Sequence, residues 1–225
     1  SHWQQMTLEQ KVAQMIMVRV SGYYYQSDSY YKKKVDNLIE EYDIGGLITF
    51  GGSLHGTFHN INSFQSLANI PLLISADYER GPGQWLDGAT LFPPNMAIAA
   101  TGDISLSYEQ GKITAREGRA IGIHIALAPV MDINNNPDNP IINFRAYSDD
   151  PDRVSKFGIE FIKGCQSHNM YACIKHFPGH GNTNTDSHSN LPVISGSRES
   201  LETLELKPFK AAIDAGVKMV MVGHI

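Results

Sequence analysis

The sequence is poor in the features that mark disulfide-rich, membrane-spanning and nucleic-acid-binding proteins. It contains only two cysteines, Cys165 and Cys173, which lie eight positions apart without a CxxC pattern. A disulfide framework or a zinc knuckle is therefore not expected, and both thiols are predicted to be inert core residues. No apolar run approaches the roughly 18–20 residues that a membrane-spanning helix needs. The net charge of −5 likewise gives no basic patch for binding nucleic acid.

Length and composition fit a packed domain. The 225 residues can form one sizeable domain or part of a larger one, and 42% of them are hydrophobic, as in an ordinary core. The chain starts with Ser1 rather than Met, and no charged-then-apolar leader follows, so a processed or engineered N-terminus is expected. Both a cytoplasmic location and export with a removed signal peptide stay open.

Short apolar runs alternate with longer amphipathic segments along the chain. Strands are predicted at residues 12–20, 44–50, 71–77, 121–133, 172–177 and 217–225. Helices are predicted at residues 31–42, 59–67, 105–120, 152–167 and 200–215. Each strand run is almost continuously apolar, which is typical of parallel strands that are buried on both faces. The alternation therefore predicts a parallel α/β fold.

Polar residues gather directly after several of these strands, at Asp77, Asp132, Lys175 and His224 among others. In a (β/α)8 TIM-type barrel the C-terminal strand ends converge on one face and build the active site together. A doubly wound sheet is less favoured, because no GxGxxG follows the first strand. We therefore expect a TIM-type barrel, of which residues 1–225 cover about the first six strands. The chain would then be the N-terminal portion of a barrel domain that is incomplete at its C-terminal end.

The loop after the fifth strand is rich in residues that can transfer protons. Asp186 and His188 are two positions apart, so in an extended segment both side chains point to one side. A carboxylate beside an imidazole fixes its tautomer and makes the ring a plausible proton donor and acceptor. The alternative is a loop held together by side-chain hydrogen bonds, and these residues alone do not decide between the two.

Two further residues of this segment, Lys175 and His176, end a strand and could donate hydrogen bonds to substrate hydroxyls. His176 and His180 also form an HxxxH spacing, which suggests zinc. That spacing brings two imidazoles together only on a helix, and Pro178 and Gly179 make a helix improbable here.

Acidic and basic residues elsewhere offer weaker indications of a site. Asp77 is attached directly to a buried run and is predicted to face the site, whereas Glu79 could cap the next helix or pair with Arg80. Arg145 precedes acids at residues 149–152 that fit a helix N-terminus.

Taken together, these segments resemble glycoside hydrolase family 3, and in particular its β-N-acetylglucosaminidase branch. The resemblance runs through nearly the whole chain, in "MTLEQKVAQMIMVRV", "IGGLITFGG", "PLLISADYERG", "LFPPNMAIAA" and "AREGRAIGIHIALAPVMDINNNPDNPIINFRAYSDDP". The most specific segment is "KHFPGHGNTNTDSH", and the closing "MVGHI" fits the sixth strand of the family.

The resemblance implies roles at matching positions. Contacts with sugar hydroxyls are implied for Asp77, Arg145, Lys175 and His176. His188 would be the general acid/base, oriented by Asp186, in place of the carboxylic acid of most retaining glycosidases. The nucleophile would be an Asp after a seventh strand, beyond Ile225, so residues 1–225 alone are expected to be inactive. The chain departs from the family at Trp85, where members commonly carry an Arg, and a local change in sugar contacts is the hypothesis there.

The expected function is that of a retaining exo-β-N-acetylglucosaminidase that needs no metal or organic cofactor. Its substrate would be a carbohydrate with a terminal β-linked N-acetylglucosamine, with peptidoglycan fragments as one candidate source. A nucleic-acid partner and a membrane span are not expected. A further C-terminal segment or domain can follow the barrel. The alternatives are a degenerate carbohydrate-binding barrel without catalysis and a metal-dependent barrel hydrolase. Phosphorolysis in place of hydrolysis is a narrower variant.

Overall fold

The structure is a computed structural model and describes residues 2–183 and 197–224. Seven described strands form one parallel sheet. They are β1 (Met17–Gly22), β2 (Gly46–Ser53), β3 (Leu73–Ala76), β4 (Leu86–Asp87), β5 (Ile125–Ala126), β6 (Tyr171–Phe177) and β7 (Met219–Val222). Their order in the sheet is β1-β2-β3-β5-β6-β7, and the short β4 pairs with the end of β2.

Eight α-helices accompany the sheet in the described ranges. They are α1 (Leu8–Ala13), α2 (Tyr30–Tyr42), α3 (Leu54–Leu67), α4 (Asn95–Ala100), α5 (Ser105–Ala120), α6 (Pro151–Gln166), α7 (Arg198–Ser200) and α8 (Leu206–Asp214). A π-helical turn, Leu201–Glu205, joins α7 to α8, and short 3-10 helices lie at His2–Gln5, Pro82–Gln84 and Asn143–Arg145. Each step along the sheet from β1 to β7 passes through at least one helix, as parallel pairing requires. The prediction of a parallel α/β fold is confirmed.

Two predicted elements begin at the wrong residue because capping side chains decide where helices start. The strand predicted at residues 12–20 is wrong at its first residues, since Val12 lies in α1 and β1 begins only at Met17. Thr7 and Gln10 form a capping box that starts α1. The helix predicted at residues 59–67 begins earlier, at Leu54, because the Ser53 side chain caps it by accepting the Gly56 N–H.

The strand predicted at residues 121–133 is mostly irregular. Only Ile125–Ala126 is regular strand, and an isolated bridge pairs Val130 with Lys175. Pro129 has no N–H to give to a ladder, so the segment follows β6 with interrupted hydrogen bonds, including one from Met131 N–H to the Lys175 carbonyl. This irregularity allows the chain to turn Asp132 toward the end of β6.

The core lies between the sheet and its helices. Leu47, Ile74, Ala126 and Ile174, on four neighbouring strands, are fully buried. Burying a Leu or Ile side chain contributes roughly 1.5–3 kcal/mol to the free energy of unfolding. These residues therefore hold in place the strands whose C-terminal ends carry the site.

Helices α5 and α6 approach each other closely at glycine positions. A Cβ atom on Gly164 would lie 2.2 Å from the backbone oxygen of Tyr108, and one on Gly111 would lie 2.2 Å from that of Phe161. Side chains at these positions would force the two helices apart. The glycines thus permit the close contact of α5 with α6, and α6 packs against β6.

The two cysteines are free and buried, as predicted. Burial raises the pKa of Cys173 to about 11, so its thiol stays protonated and unreactive at neutral pH. Among the helices of the described ranges, none combines the length and the apolarity needed to cross a bilayer.

Candidate active site

The four residues predicted to bind substrate lie together at the C-terminal ends of the strands. Asp77 follows β3, Lys175 and His176 belong to the end of β6, and Arg145 ends the 3-10 helix Asn143–Arg145. All four line one cavity of about 240 Å³, together with His180 after β6 and apolar side chains of several strands. The arrangement follows from parallel strands, whose C-terminal ends meet at one edge of the sheet.

A network of buried ion pairs forms the floor of this cavity. Nζ of Lys175 contacts Oδ1 of Asp77 and lies 2.7 Å from Oε1 of Glu79. Arg145 binds the same Glu79 carboxylate with two nitrogens, at 2.7 and 2.9 Å. The expectation that Glu79 caps a helix or pairs with Arg80 is wrong, because Glu79 is 5% exposed and points into the network. Nε of Arg80 instead donates to the Phe92 carbonyl at 3.0 Å.

The electrostatics keep Glu79 and Lys175 ionised. Burial raises the pKa of Glu79, but Lys175 and Arg145 outweigh burial and hold it at about 2. Burial lowers the pKa of Lys175, but the carboxylates of Glu79 and Asp77 raise it by more, so the pKa of Lys175 is raised. Two acidic and two basic side chains thus offer acceptors and donors with balanced formal charge. Such a set is suited to a neutral ligand rich in hydroxyl groups.

His176 is held by a buried carboxylate on the irregular segment after β5. Its Nδ1 lies 2.6 Å from Oδ2 of Asp132, which is fully buried. Burial raises the pKa of Asp132, but the hydrogen bond and charge of His176 outweigh it and lower the pKa. Asp132 is therefore a carboxylate that accepts the Nδ1 proton, which leaves Nε2 of His176 toward the cavity, 3.5 Å from Nη2 of Arg145.

The same carboxylate fixes the start of the loop that follows β6. Asp132 accepts the backbone N–H of His180 at 2.7 Å, and Nδ2 of Asn139 donates to the carbonyls of His180 and Gly181 at 2.8 and 2.9 Å. The His180 ring is 2% exposed, and its Nδ1 lies 3.0 Å from the Thr183 hydroxyl. Burial lowers the pKa of His180, which favours the neutral imidazole. The loop is thus anchored up to residue 183.

The predicted dyad of Asp186 and His188 lies outside the described residues. Within residues 2–183 and 197–224, no three His, Cys, Asp or Glu side chains are placed to hold one metal ion. The rings of His176 and His180, the pair whose spacing suggests zinc, have centroids 6.0 Å apart and planes at 76°.

Trp85 lies next to Asp77 at the edge of the cavity. Its indole Nε1–H donates to the backbone carbonyl of Asp77 at 2.9 Å. Its ring packs edge to face on Phe50, with centroids 5.5 Å apart. Trp85 therefore places an aromatic ring beside the site, with 37% of the residue exposed.

Three residues of the site have hydrogen-bond or ion-pair partners that the sequence does not predict: Glu79, Asp132 and His180. For Glu79 an indication existed, because its two-residue spacing from Asp77 places both side chains on one side of an extended segment. Asp132 and His180 depend on the irregular path after β5, which no periodicity indicates.

The chain matches a known protein family over nearly its whole length. The glycosyl hydrolase family 3 N terminal domain matches residues 7–225. A beta-hexosaminidase A from Pseudoalteromonas piscicida is 37% identical over 207 residues, which cover 85% of this chain and 34% of that protein. A beta-N-acetylglucosaminidase/beta-glucosidase from Cellulomonas fimi is 38% identical over 182 residues, covering 81% of this chain and 32% of that protein. The chain thus spans about a third of the length of these curated relatives.

A solved structure also shares the fold. It is a glycoside hydrolase family 3 beta-N-acetylglucosaminidase from Paenibacillus sp. str. FPU-7, with 40% sequence identity and a TM-score of 0.89. The match covers 97% of this chain and 42% of that chain. Together with the family match, this similarity confirms the predicted TIM-type α/β fold.

Proposed function

Because the chain belongs to family 3 of the glycoside hydrolases, we propose that the intact protein is a retaining exo-β-N-acetylglucosaminidase. The relatives described above are named beta-hexosaminidase and beta-N-acetylglucosaminidase, which supports the substrate class. The observation that carries the proposal is the charge-balanced network of Asp77, Glu79, Arg145 and Lys175 on the floor of the cavity.

In this proposal the terminal sugar lies in the cavity over the network. Asp77 accepts hydrogen bonds from sugar hydroxyls, while Arg145, Lys175 and His176 contribute the remaining polar contacts. The cavity of about 240 Å³ is smaller than the roughly 300–1,000 Å³ of pockets for drug-sized ligands, so it suits one sugar ring. Binding of a single terminal ring is what exo action requires.

The chemistry belongs to residues that follow the anchored start of the loop. An Asp beyond Ile225 attacks the anomeric carbon, while His188 protonates the leaving oxygen, and a covalent glycosyl-enzyme forms. Water then hydrolyses that bond with His188 as base, and Asp186 orients the imidazole in both steps. Residues 1–225 are, in this proposal, the N-terminal portion of the barrel domain.

The first test is hydrolysis of p-nitrophenyl N-acetyl-β-glucosaminide by the intact protein, with the α-anomer as control. We expect release of nitrophenol from the β-anomer alone and, by NMR, N-acetylglucosamine that first appears as its β-anomer. Sugar binding without turnover would support the degenerate barrel. Activity that a chelator removes and zinc restores would support the metal-dependent alternative. A requirement for phosphate would indicate phosphorolysis.

A further inference from the structure

Glu205 is a buried acid that contacts the loop after β6 from the side of α8. It is the last residue of the π-helical turn Leu201–Glu205 and is 3% exposed. A Cβ atom on Gly179 would lie 2.9 Å from Cβ and 3.1 Å from Cγ of Glu205. The backbone of the loop therefore lies directly on the Glu205 side chain, and only a residue without a side chain allows this approach.

The carboxyl group of Glu205 also reaches the segment after β5. Its Oε1 accepts a hydrogen bond from Nδ2 of Asn135 at 3.2 Å. The same segment touches the loop directly, because a Cβ atom on Gly181 would lie 1.6 Å from the backbone oxygen of Ile133. Glu205 thus contacts both of the segments that Asp132 also joins.

Helix α8 gives Glu205 a rigid support. Phe209 of α8 is 1% exposed, and its ring packs edge to face on Phe177 of β6 with centroids 5.6 Å apart. The Leu206 N–H reaches back to the Leu201 carbonyl, which widens the turn before α8. Such π-helical turns are frequent at functional sites. A side chain on a packed helix holds its neighbours more accurately than one on a loop does.

Stability alone does not account for a carboxyl group at this position. Within residues 2–183 and 197–224, Oε2 of Glu205 is buried and has no hydrogen-bond partner. A buried polar atom without a partner lowers the free energy of unfolding. An apolar side chain of the same length would avoid this cost and keep the contact with Gly179. Side chains that lower stability are typical of sites where function requires them.

We propose that Glu205 is a positioning residue for the reaction, which fixes the start of the loop after β6 through Asn135 and Gly179. This inference rests on the proposed function, in which the acid/base His188 follows that loop start. Glu205 itself contacts neither the sugar nor the reacting atoms. A displacement of the loop start by about 1 Å would misplace the groups that follow it, and such displacements can lower the rate by about 100-fold.

The test measures turnover, sugar binding and stability in Glu205→Met of the intact protein. Met is unbranched and nearly as long as Glu, so it keeps the packing and removes the acceptor. We expect kcat for p-nitrophenyl N-acetyl-β-glucosaminide to fall about 10- to 100-fold. The dissociation constant of N-acetylglucosamine should stay within about threefold, because sugar binding is assigned to other residues. The midpoint of urea unfolding should be unchanged or higher.

Matched variants separate positioning from a general defect. Glu205→Gln keeps the length and an acceptor for Nδ2 of Asn135, so its kcat should lie within about threefold of the unmodified value. Glu202 is exposed on the same π-helical turn and pairs with Arg198, so Glu202→Gln is the control and should leave kcat unchanged. Asn135→Ala should lower kcat as Glu205→Met does. The double variant should lose no more than either single variant, because both changes remove the same bridge.

The results distinguish this inference from the function on which it rests. If the unmodified protein releases no nitrophenol, the proposed function fails and this inference falls with it. If the unmodified protein is active and Glu205→Met keeps its kcat, the positioning role is overturned and the proposed function stands. The same holds if Glu205→Met loses kcat only together with a lower urea midpoint or fails to fold, since Glu205 is then purely structural.

Two further outcomes would also overturn the positioning role. If Glu205→Gln loses as much kcat as Glu205→Met, the charge of Glu205 matters and its bridge to Asn135 does not. If the losses of Glu205→Met and Asn135→Ala multiply in the double variant, the two residues act independently and form no bridge.

Discussion

The carboxylate of Asp132 lies 2.6 Å from Nδ1 of His176 and also accepts the backbone N–H groups of His176 and His180. One buried side chain thereby sets the tautomer of His176, which is proposed to bind the sugar. It also sets the path of the loop that leads to the proposed dyad. Its position links the end of β6 to residues 178–183. The arrangement accounts for a fully buried carboxylate next to a polar cavity.

Asp132→Asn should therefore impair the site more than the fold. The amide Nδ2 would face one of the three N–H donors, so both His176 and the loop would shift. We expect kcat/KM of the intact protein to fall about 100-fold, because small displacements of positioned groups carry such losses. Asp138 is an exposed loop residue after the same strand, so Asp138→Asn is the matched control and should leave kcat/KM unchanged. Unchanged kcat/KM in Asp132→Asn would contradict the positioning role.

Glu79→Gln tests whether the ion-pair network stabilises the fold. The change leaves Lys175 and Arg145 buried without their shared carboxylate, and removal of one partner of a buried pair costs about 3–5 kcal/mol of the free energy of unfolding. Urea titration measures this loss, with Glu40→Gln on the exposed side of α2 as control. The pKa of Glu79 is about 2 in the folded state against an ordinary 4.5. Its contribution to the free energy of unfolding is therefore complete above pH 4.5 and is lost as the pH falls toward 2. If the stability of the variant and that of the unmodified protein fall equally with acid, the network does not stabilise the fold.

Gly164→Ala tests the close packing of α5 and α6. Its Cβ would lie 2.2 Å from the Tyr108 oxygen and 2.8 Å from the Lys112 nitrogen, so the helices must separate. We expect a loss of about 1–3 kcal/mol in the free energy of unfolding, measured by denaturant titration. Lys156→Ala, at an exposed position of the same helix, should change it by less than about 0.5 kcal/mol. A variant as stable as the unmodified protein would show that the two helices are not in contact here.

His188→Gln tests the proposed general acid/base. Loss of a proton-transfer group lowers kcat by about 100- to 10,000-fold. The dissociation constant for N-acetylglucosamine should stay within about threefold, because sugar binding is assigned to other residues. His55→Gln, an exposed imidazole on α3, is the control and should keep both values. Equal losses in turnover and sugar binding would assign His188 to binding instead.

The sequence predicted the parts of the site that follow directly from strand ends. Asp77, Lys175 and His176 stand at the ends of apolar runs, and in a parallel sheet such residues converge whatever the connecting segments do. The partner of Glu79 could not be predicted, because Arg145 reaches it from 66 positions away through a loop without periodicity.

The errors in the fold have local causes. Thr7 and Ser53 are typical helix-capping residues, but the predicted bounds follow apolar periodicity alone. The predicted first residues of strand β1 and helix α3 are therefore wrong. The segment from 121 to 133 is apolar enough for a long strand. Its hydrogen bonds are interrupted at Pro129, and tertiary contacts, not periodicity, set its path.

The covalent, retaining mechanism is tested by mass spectrometry and peptide mapping of the intact protein after incubation with a fluorinated N-acetylglucosaminide that traps glycosyl-enzymes. We expect a mass increase of one sugar residue, on a peptide that lies beyond Ile225, and the loss of that adduct when the nucleophilic Asp there is replaced. A catalytically active protein that never gains the sugar would contradict the covalent, retaining mechanism proposed here.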